Sequence, residues 1–122
     1  MQIDPQSVWS DIQTIKKFSP LVHNITNYVV MELTANSLLA IGASPVMAHA
    51  IEEAEDMAMI ANSLVLNIGT LSPFWTAGML LALKAANSKD IPMVKMLTIL
   101  LLVPYFSQKQ SLFIISLGDL MA

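Results

Sequence analysis

The 122-residue sequence contains no cysteine and no arginine, and only 12% of its residues are charged. The absence of cysteine excludes disulfides, thiolate metal ligands and cysteine nucleophiles. The six basic residues are all lysines and the net charge is −3, so we expect no nucleic-acid-binding face. A typical soluble domain is about 25% charged, whereas this chain is 55% hydrophobic. The length corresponds to one domain with ample material for a core.

The sequence has no segment with the form of a signal peptide or a membrane span. Its N-terminus lacks a basic region followed by an apolar stretch. The most apolar run, residues 96–106, is about half the ~20 residues that a transmembrane helix needs, and Pro104 interrupts it. We therefore expect no membrane association and a cytoplasmic location.

Residues 21–94 alternate between short apolar segments and helical segments. Asp4-Pro5 and Ser72-Pro73 each combine an N-cap with a first-turn proline, and Gly42 stands where a helix would end in a left-handed residue. This alternation predicts βαβ units, and hence an α/β fold with a layered parallel sheet and flanking helices. The predicted strands are residues 21–25, 45–48, 64–68 and 91–94, and the predicted helices are 5–18, 28–41, 51–61 and 72–87.

Three further expectations concern particular segments. The helix at 28–41 is apolar nearly all round, with Glu32 its only charge, which predicts that it is buried. The acidic residues 52, 53, 55 and 56 are expected on a solvated helix face. Residues 95–122 show no clear period and no cap signal, so we divide the chain into an α/β part at 1–94 and a divergent apolar tail at 95–122.

The loops at the carboxyl edge of the predicted sheet carry the polar residues most suited to a ligand. Residues 24–27, 44–49 and 67–70 each follow a strand and precede a helix, where backbone N–H groups and the helix dipole favour anions. For any single loop the favoured interpretation is that its Asn and Thr side chains only cap a helix, and it is the presence of three such loops at one edge that points to a ligand. His23 and His49 have no carboxylate at ligand spacing, so we expect no protein-only metal site, and neither common nucleotide-binding glycine motif occurs.

Several strings of residues resemble the hydroxyethylthiazole kinase family. They are PLVHNITNYVV at 20–30, TAN at 34–36, ASPVMA at 43–48 and LVLNIGTL at 64–71, and the resemblance runs from about residue 18 to 94. It implies a ribokinase-like fold, incomplete here as an N-terminal half, and usually a trimer. It also implies Mg²⁺- and ATP-dependent phosphorylation of 4-methyl-5-(2-hydroxyethyl)thiazole, a step of thiamine biosynthesis and salvage.

The resemblance also implies roles for four residues. Met47 matches a methionine that contacts the thiazole ring, and Gly69 and Thr70 match a loop beside that ring. Asn27 matches an asparagine near the magnesium ion and the phosphates. These roles are physically reasonable, because a thioether is a polarizable partner for a flat heteroaromatic ring and phosphate charge is favoured at a helix N-terminus.

The sequence departs from the family pattern after residue 94. Met96 stands where the resemblance requires a metal-linked aspartate, and the arginine that meets ATP has no counterpart. The later glutamate, glycine-rich anion hole and catalytic cysteine of the family also have none. We therefore assign no catalytic residue and no metal ligand, expect negligible kinase activity from this chain alone, and interpret the tail as frameshifted or prematurely ended. Translating the downstream DNA in the other two frames would test that interpretation.

Other interpretations remain open beside a partial kinase. The chain could be a non-catalytic module that binds the thiazole or pairs with a full-length subunit, a membrane-associated peptide built on the apolar tail, or a marginally folded product of a degraded gene. Ligand binding without turnover, fractionation and the cooperativity of melting would discriminate among them.

Overall fold

The computed structural model describes residues 4–96, which form four helices and four strands in strict alternation. The helices are α1 (Pro5–Phe18), α2 (Tyr28–Ala40), α3 (Ile51–Ile60) and α4 (Pro73–Ser88), and the strands are β1 (Leu21–Ile25), β2 (Ser44–Val46), β3 (Ser63–Asn67) and β4 (Met93–Met96).

The four strands form one sheet in the order β2-β1-β3-β4, and all three pairings are parallel. The register aligns His23 of β1 with Val46 of β2 and with Leu64 of β3. The predicted α/β class with a parallel sheet is therefore confirmed. Because β1 leads outward to β2 whereas β2 and β3 lead the other way, right-handed crossovers place α2 on one face of the sheet and α3 and α4 on the other.

The core lies between the sheet and the α3–α4 layer. The strands contribute branched side chains, whereas the helices contribute mainly small residues, which lets them approach the sheet and each other closely. Its buried members are Ile25, Ala54, Ala58, Leu64, Leu66, Met79, Ala82, Ala85 and Ala86.

The helix ends follow the local signals in the sequence. The carboxylate of Asp4 accepts the Ser7 amide, and the hydroxyl of Ser72 accepts the Trp75 amide. Gly42 has a φ of +93°, as predicted, and a Cβ there would lie 2.8 Å from Cγ of Lys16. A glycine is therefore required both by the backbone conformation and by the close approach of α1.

Some expectations need correction. The prediction that the 28–41 helix is buried is wrong: no residue of α2 is buried, and Val29 and Leu33 are 87% and 70% exposed. An apolar surface all round a helix indicates burial only when partners surround it, and within residues 4–96 α2 packs mainly along β2. The fourth strand begins at Met93, two residues later than predicted, and β2 and β3 are each displaced from their predicted ends by one or two residues.

The acidic residues of α3 lie on its exposed face, as predicted. Among residues 4–96, no helix combines the length and the apolar character needed to cross a bilayer. The tail beyond residue 96 lies outside the described residues, and the division of the chain at residue 94 stays a prediction.

Candidate functional site

The strand order creates a topological switch point between β1 and β3. The chain leaves β1 toward β2 on one side and leaves β3 toward β4 on the other. Helices on opposite faces therefore diverge at the carboxyl ends of these two central strands, and parallel sheets commonly bind ligands in the crevice that results. The residues that follow the two strands are Thr26 and Asn27 after β1 and residues 68–70 after β3.

A hydrogen-bonded network joins the two loops at this switch point. The side-chain amide of Asn67 donates to the Thr26 hydroxyl at 2.9 Å, and its carbonyl oxygen accepts the Gly69 amide at 3.0 Å. Asn27 Nδ2 donates to the Gly69 carbonyl at 3.4 Å. Thr26 and Asn67 are buried, so these bonds satisfy groups that water does not reach. Two of the predicted site residues, Asn27 and Gly69, are thereby brought into direct contact.

Thr70 completes the turn that follows Gly69. It adopts a φ of +56°, which is uncommon for a β-branched residue and costs on the order of 1–3 kcal/mol. Its hydroxyl donates to the Gly69 carbonyl at 2.7 Å. The backbone of this loop is thus held in an unusual conformation at the switch point.

Asn27 is the N-cap of α2. Its Oδ1 accepts the amides of Val29 at 3.1 Å and Val30 at 3.3 Å. Two donors occupy both lone pairs of that oxygen, which leaves Asn27 without a free acceptor for a cation.

The described residues offer no preformed cluster of ligands for a metal ion. Mg²⁺ usually keeps several waters and is held by one or two carboxylates together with substrate phosphates. Residues 4–96 contain no group of three or more acidic or histidine side chains that could hold a metal ion, and the amide oxygen of Asn27 is engaged by α2.

Met47, the fourth predicted site residue, begins the loop between β2 and α3. It is partly buried, and its carbonyl oxygen lies 3.2 Å from Nδ1 of His49. The His49 ring stacks on Trp75 with ring centroids 4.1 Å apart, and Tyr28 meets both rings edge-on. Met47 is therefore linked through His49 to Tyr28, the residue that follows Asn27.

His23 lies fully buried on β1, and its Nε2 is 2.6 Å from the Ala48 carbonyl oxygen. A carbonyl only accepts, so Nε2 carries the proton and donates. Burial lowers the pKa of His23, although the Ala48 carbonyl and the Glu53 carboxylate act in the opposite direction. The ring is consequently neutral near pH 7, with Nδ1 unprotonated and without a partner within residues 4–96.

An open apolar groove of about 150 Å³ lies beside the switch point, on the face that carries α4. None of Asn27, Met47, Gly69 and Thr70 lines it, although Ile68 directly precedes Gly69. Its lining residues are Leu66, Ile68, Leu71, Thr76, Met79, Leu80 and Leu83.

Sequence reasoning missed three residues that shape this edge: Tyr28, Trp75 and Gly78. The spacing of Tyr28 and Trp75 in the sequence gave no signal, because the contact between their rings depends on where the fold places the first turns of α2 and α4. Gly78 could have been found as an isolated glycine inside a helical pattern, which often marks a close backbone approach. A Cβ at Gly78 would lie 2.5 Å from the carbonyl oxygen of His49.

Comparison with known proteins places these features in one family. The hydroxyethylthiazole kinase family matches residues 12–96. Hydroxyethylthiazole kinase of Syntrophus aciditrophicus is 56% identical over 94 residues, which are 77% of this chain and 35% of that protein. The protein of the same name from Oleidesulfovibrio alaskensis is 59% identical over 87 residues, or 71% of this chain and 33% of that protein.

A solved structure of hydroxyethylthiazole kinase from Pyrococcus horikoshii has the same fold in its matching part. It superimposes with a TM-score of 0.70 at 49% identity, over 74% of this chain and 35% of that one. The chain thus spans about a third of the length of the relatives it matches. On the family match, the identities and the shared fold together, this chain belongs to the hydroxyethylthiazole kinase family.

Proposed function

We propose that this chain forms the thiazole-binding side of a hydroxyethylthiazole kinase site and binds 4-methyl-5-(2-hydroxyethyl)thiazole at the carboxyl edge of β1, β2 and β3. The observation that carries the proposal is the contact between Asn27 and Gly69 across the switch point. It joins two segments of the family's pattern that lie 42 residues apart in the sequence. The identity of more than half of the aligned residues to proteins named hydroxyethylthiazole kinase supports the same substrate class.

Each of the four residues has a role in the proposal. Met47 contacts the thiazole ring, to which its thioether offers a polarizable apolar surface. Gly69 and Thr70 supply the backbone beside the ring. The side chain of Asn67 stabilises their turn by accepting the Gly69 amide. Asn27 organises the phosphate side by capping α2, and we assign it no direct bond to a metal because its oxygen is already shared by two amides.

We expect this chain alone to transfer phosphate from ATP at a negligible rate. Phosphoryl transfer depends on positioning and on the neutralisation of phosphate charge. Residues 4–96 contain no cluster of three metal-ligating side chains, Met96 occupies the position of the expected aspartate, and the sequence has no arginine. A coupled assay with Mg²⁺, ATP and the thiazole alcohol should stay below ~1 s⁻¹, the lower end for ordinary enzymes, and a higher rate would contradict this expectation.

We also propose that copies of the chain assemble, with a trimer as the expected state. The exposed apolar side chains of α2 support this proposal, because contiguous apolar surface on a small protein usually marks a contact. Tyr28, Val29 and Leu33 are each at least 70% exposed. Sedimentation should give a mass above 13.3 kDa, and Leu33→Asp should shift it toward the single chain, with Glu32→Gln as the control.

Isothermal titration of the purified chain with the thiazole alcohol tests the central proposal. We expect saturable binding by the unaltered chain and at least tenfold weaker binding by Met47→Ala. Met57→Ala is the matched control, because Met57 lies in the second half of α3, away from the carboxyl edge of the sheet. Binding that is absent, or that Met47→Ala and Met57→Ala weaken equally, would contradict the proposed site.

A further inference from the structure

The loop that carries Met47 is held by two histidines at consecutive carbonyl groups. Nε2 of His23 donates to the Ala48 carbonyl at 2.6 Å, from the interior of the sheet. Nδ1 of His49 lies 3.2 Å from the Met47 carbonyl and, because a carbonyl only accepts, it must carry the proton. The two peptide groups that flank Ala48 are therefore fixed by imidazole donors from two directions.

The His49 ring is itself anchored by aromatic residues from two other elements. It stacks on Trp75 in the first turn of α4 with an interplanar angle of 15°. With Nδ1 protonated, Nε2 is an acceptor, and it faces the Tyr28 hydroxyl at a long 3.5 Å. Stacked and edge-to-face aromatic pairs attract each other beyond what their burial alone provides, so α2 and α4 together set the orientation of His49.

The backbone of the loop is also seated on α4. The carbonyl oxygen of His49 comes so close to Gly78 that a Cβ there would lie 2.5 Å from it. The loop that begins at Met47 is thus fixed by β1 through His23, by α2 through Tyr28, and by α4 through Trp75 and Gly78.

We propose that His23 and His49 are positioning residues, which hold the Met47 backbone so that its side chain faces the bound thiazole. The inference rests on the proposed role of Met47 and assigns neither histidine a contact with the ligand or a part in proton transfer. His23 acts from beneath the loop, where its burial and its lowered pKa keep the neutral Nε2–H form in place. His49 acts from the surface side, where Trp75 and Tyr28 orient it.

Paired substitutions separate positioning from general structural damage. His23→Gln retains an N–H donor at about the place of Nε2, whereas His23→Leu removes it. His49→Asn likewise retains a donor near Nδ1, whereas His49→Leu removes it. His49 is only partly buried, so its variants keep the question testable if His23→Leu fails to fold.

The first measurement needs no ligand. The chain is labelled with ¹³C-methyl methionine, and the Met47 signal is identified by its loss in Met47→Leu. We expect the leucine variants to shift the Met47 methyl signal by more than its linewidth, the Gln and Asn variants to restore it, and the signal of Met79 in the core to stay in place. An unmoved Met47 signal in both leucine variants would overturn the inference.

The second measurement is the dissociation constant for 4-methyl-5-(2-hydroxyethyl)thiazole. We expect it to rise at least tenfold in the leucine variants and to stay within about twofold in the donor-retaining variants. Equal affinity of the unaltered chain and both leucine variants would overturn the inference while leaving the proposed function standing. If the unaltered chain does not bind the thiazole, the proposed function fails, and the methyl signal alone decides whether the histidines position Met47.

Discussion

Replacing Gly78 by alanine should destabilise the chain, although alanine is the better helix former. Gly78 lies inside α4, and an added Cβ would lie 2.5 Å from the His49 carbonyl oxygen, whereas ordinary contact begins at 3.4 Å. The obstructing atom belongs to the backbone of a loop that two histidines hold. It therefore cannot turn aside as a flexible side chain could, and the loop and α4 have to separate by nearly an ångström.

Two opposing effects determine the size of this change. Overpacking a well-packed contact lowers the free energy of unfolding by about 1–3 kcal/mol. Replacing Gly by Ala in a helix raises it by about 1 kcal/mol, because alanine is the better helix former. We therefore expect a net loss of about 1 kcal/mol in the free energy of unfolding for Gly78→Ala. For a folded unit of this size that loss lowers the Tm by roughly 4–8 °C. Gly78→Val should lose more, because its larger side chain meets the same oxygen and valine is a poorer helix former than alanine.

Urea denaturation followed by circular dichroism measures the effect. The exposed position Glu55 in α3 supplies the control, because Glu55→Ala should be more stable than Glu55→Gly by the helix-propensity difference alone. The reasoning is refuted if Gly78→Ala proves as stable as the unaltered chain or gains stability, since the His49 carbonyl would then not be seated against α4.

Three further predictions concern other parts of the fold. Gly42→Ala should lower the free energy of unfolding by about 2 kcal/mol, because φ is left-handed at +93° and the added Cβ would lie 2.8 Å from Lys16. Thermal melting, with Ser37→Ala as the control, checks this prediction, and an unchanged Tm would contradict it. Thr26→Val should lower the free energy of unfolding by about 1 kcal/mol, because it removes the hydroxyl that accepts a hydrogen bond from Asn67. The control Thr14→Val, on exposed α1, should change this free energy by less than about 0.5 kcal/mol, and similar losses at both positions would argue against the hydrogen-bonded network at the switch point. Burial lowers the pKa of His23 below 6.5, so on acidification His23 is protonated in the unfolded chain before it is protonated in the folded one, and the free energy of unfolding should fall as the pH drops from about 6.5 toward that lowered pKa. His23→Gln should flatten this part of the profile of stability against pH, and an unchanged slope would exclude His23 as the cause of the fall.

Local signals in the sequence were sufficient for the strand and helix order. Caps such as Asp4 and Ser72, the prolines that follow them, and Gly42 act within a few residues of where they stand, so their reading needs no knowledge of the rest of the fold. Composition and periodicity were less informative about environment. The apolar surface of α2 predicted burial, yet burial depends on neighbours that the helix sequence itself does not encode.

The candidate site was predictable only in outline. Parallel strands bring their carboxyl ends to one edge, which was enough to group Asn27 with Gly69. The anchoring of the Met47 loop was not predictable, because it depends on where a ring from α4 and a ring from α2 meet His49. The close approach of the His49 carbonyl to Gly78 likewise depends on how a loop packs against a helix. The sequence shows the glycine but does not show which backbone lies against it.

The central position of β1 has a consequence for the order in which the molecule acquires its structure. Its contacts are made with residues that come much later in the chain: the His23–Ala48 bond spans 25 residues, and the Thr26–Asn67 bond spans 41. Pairings between distant residues slow folding, because long loops must close before the contacts form. During synthesis the first strand can therefore complete its pairing with β3 only after residues 63–67 have been added. The edge that carries Met47 gains its contacts with α4 only after Trp75 and Gly78 have been added.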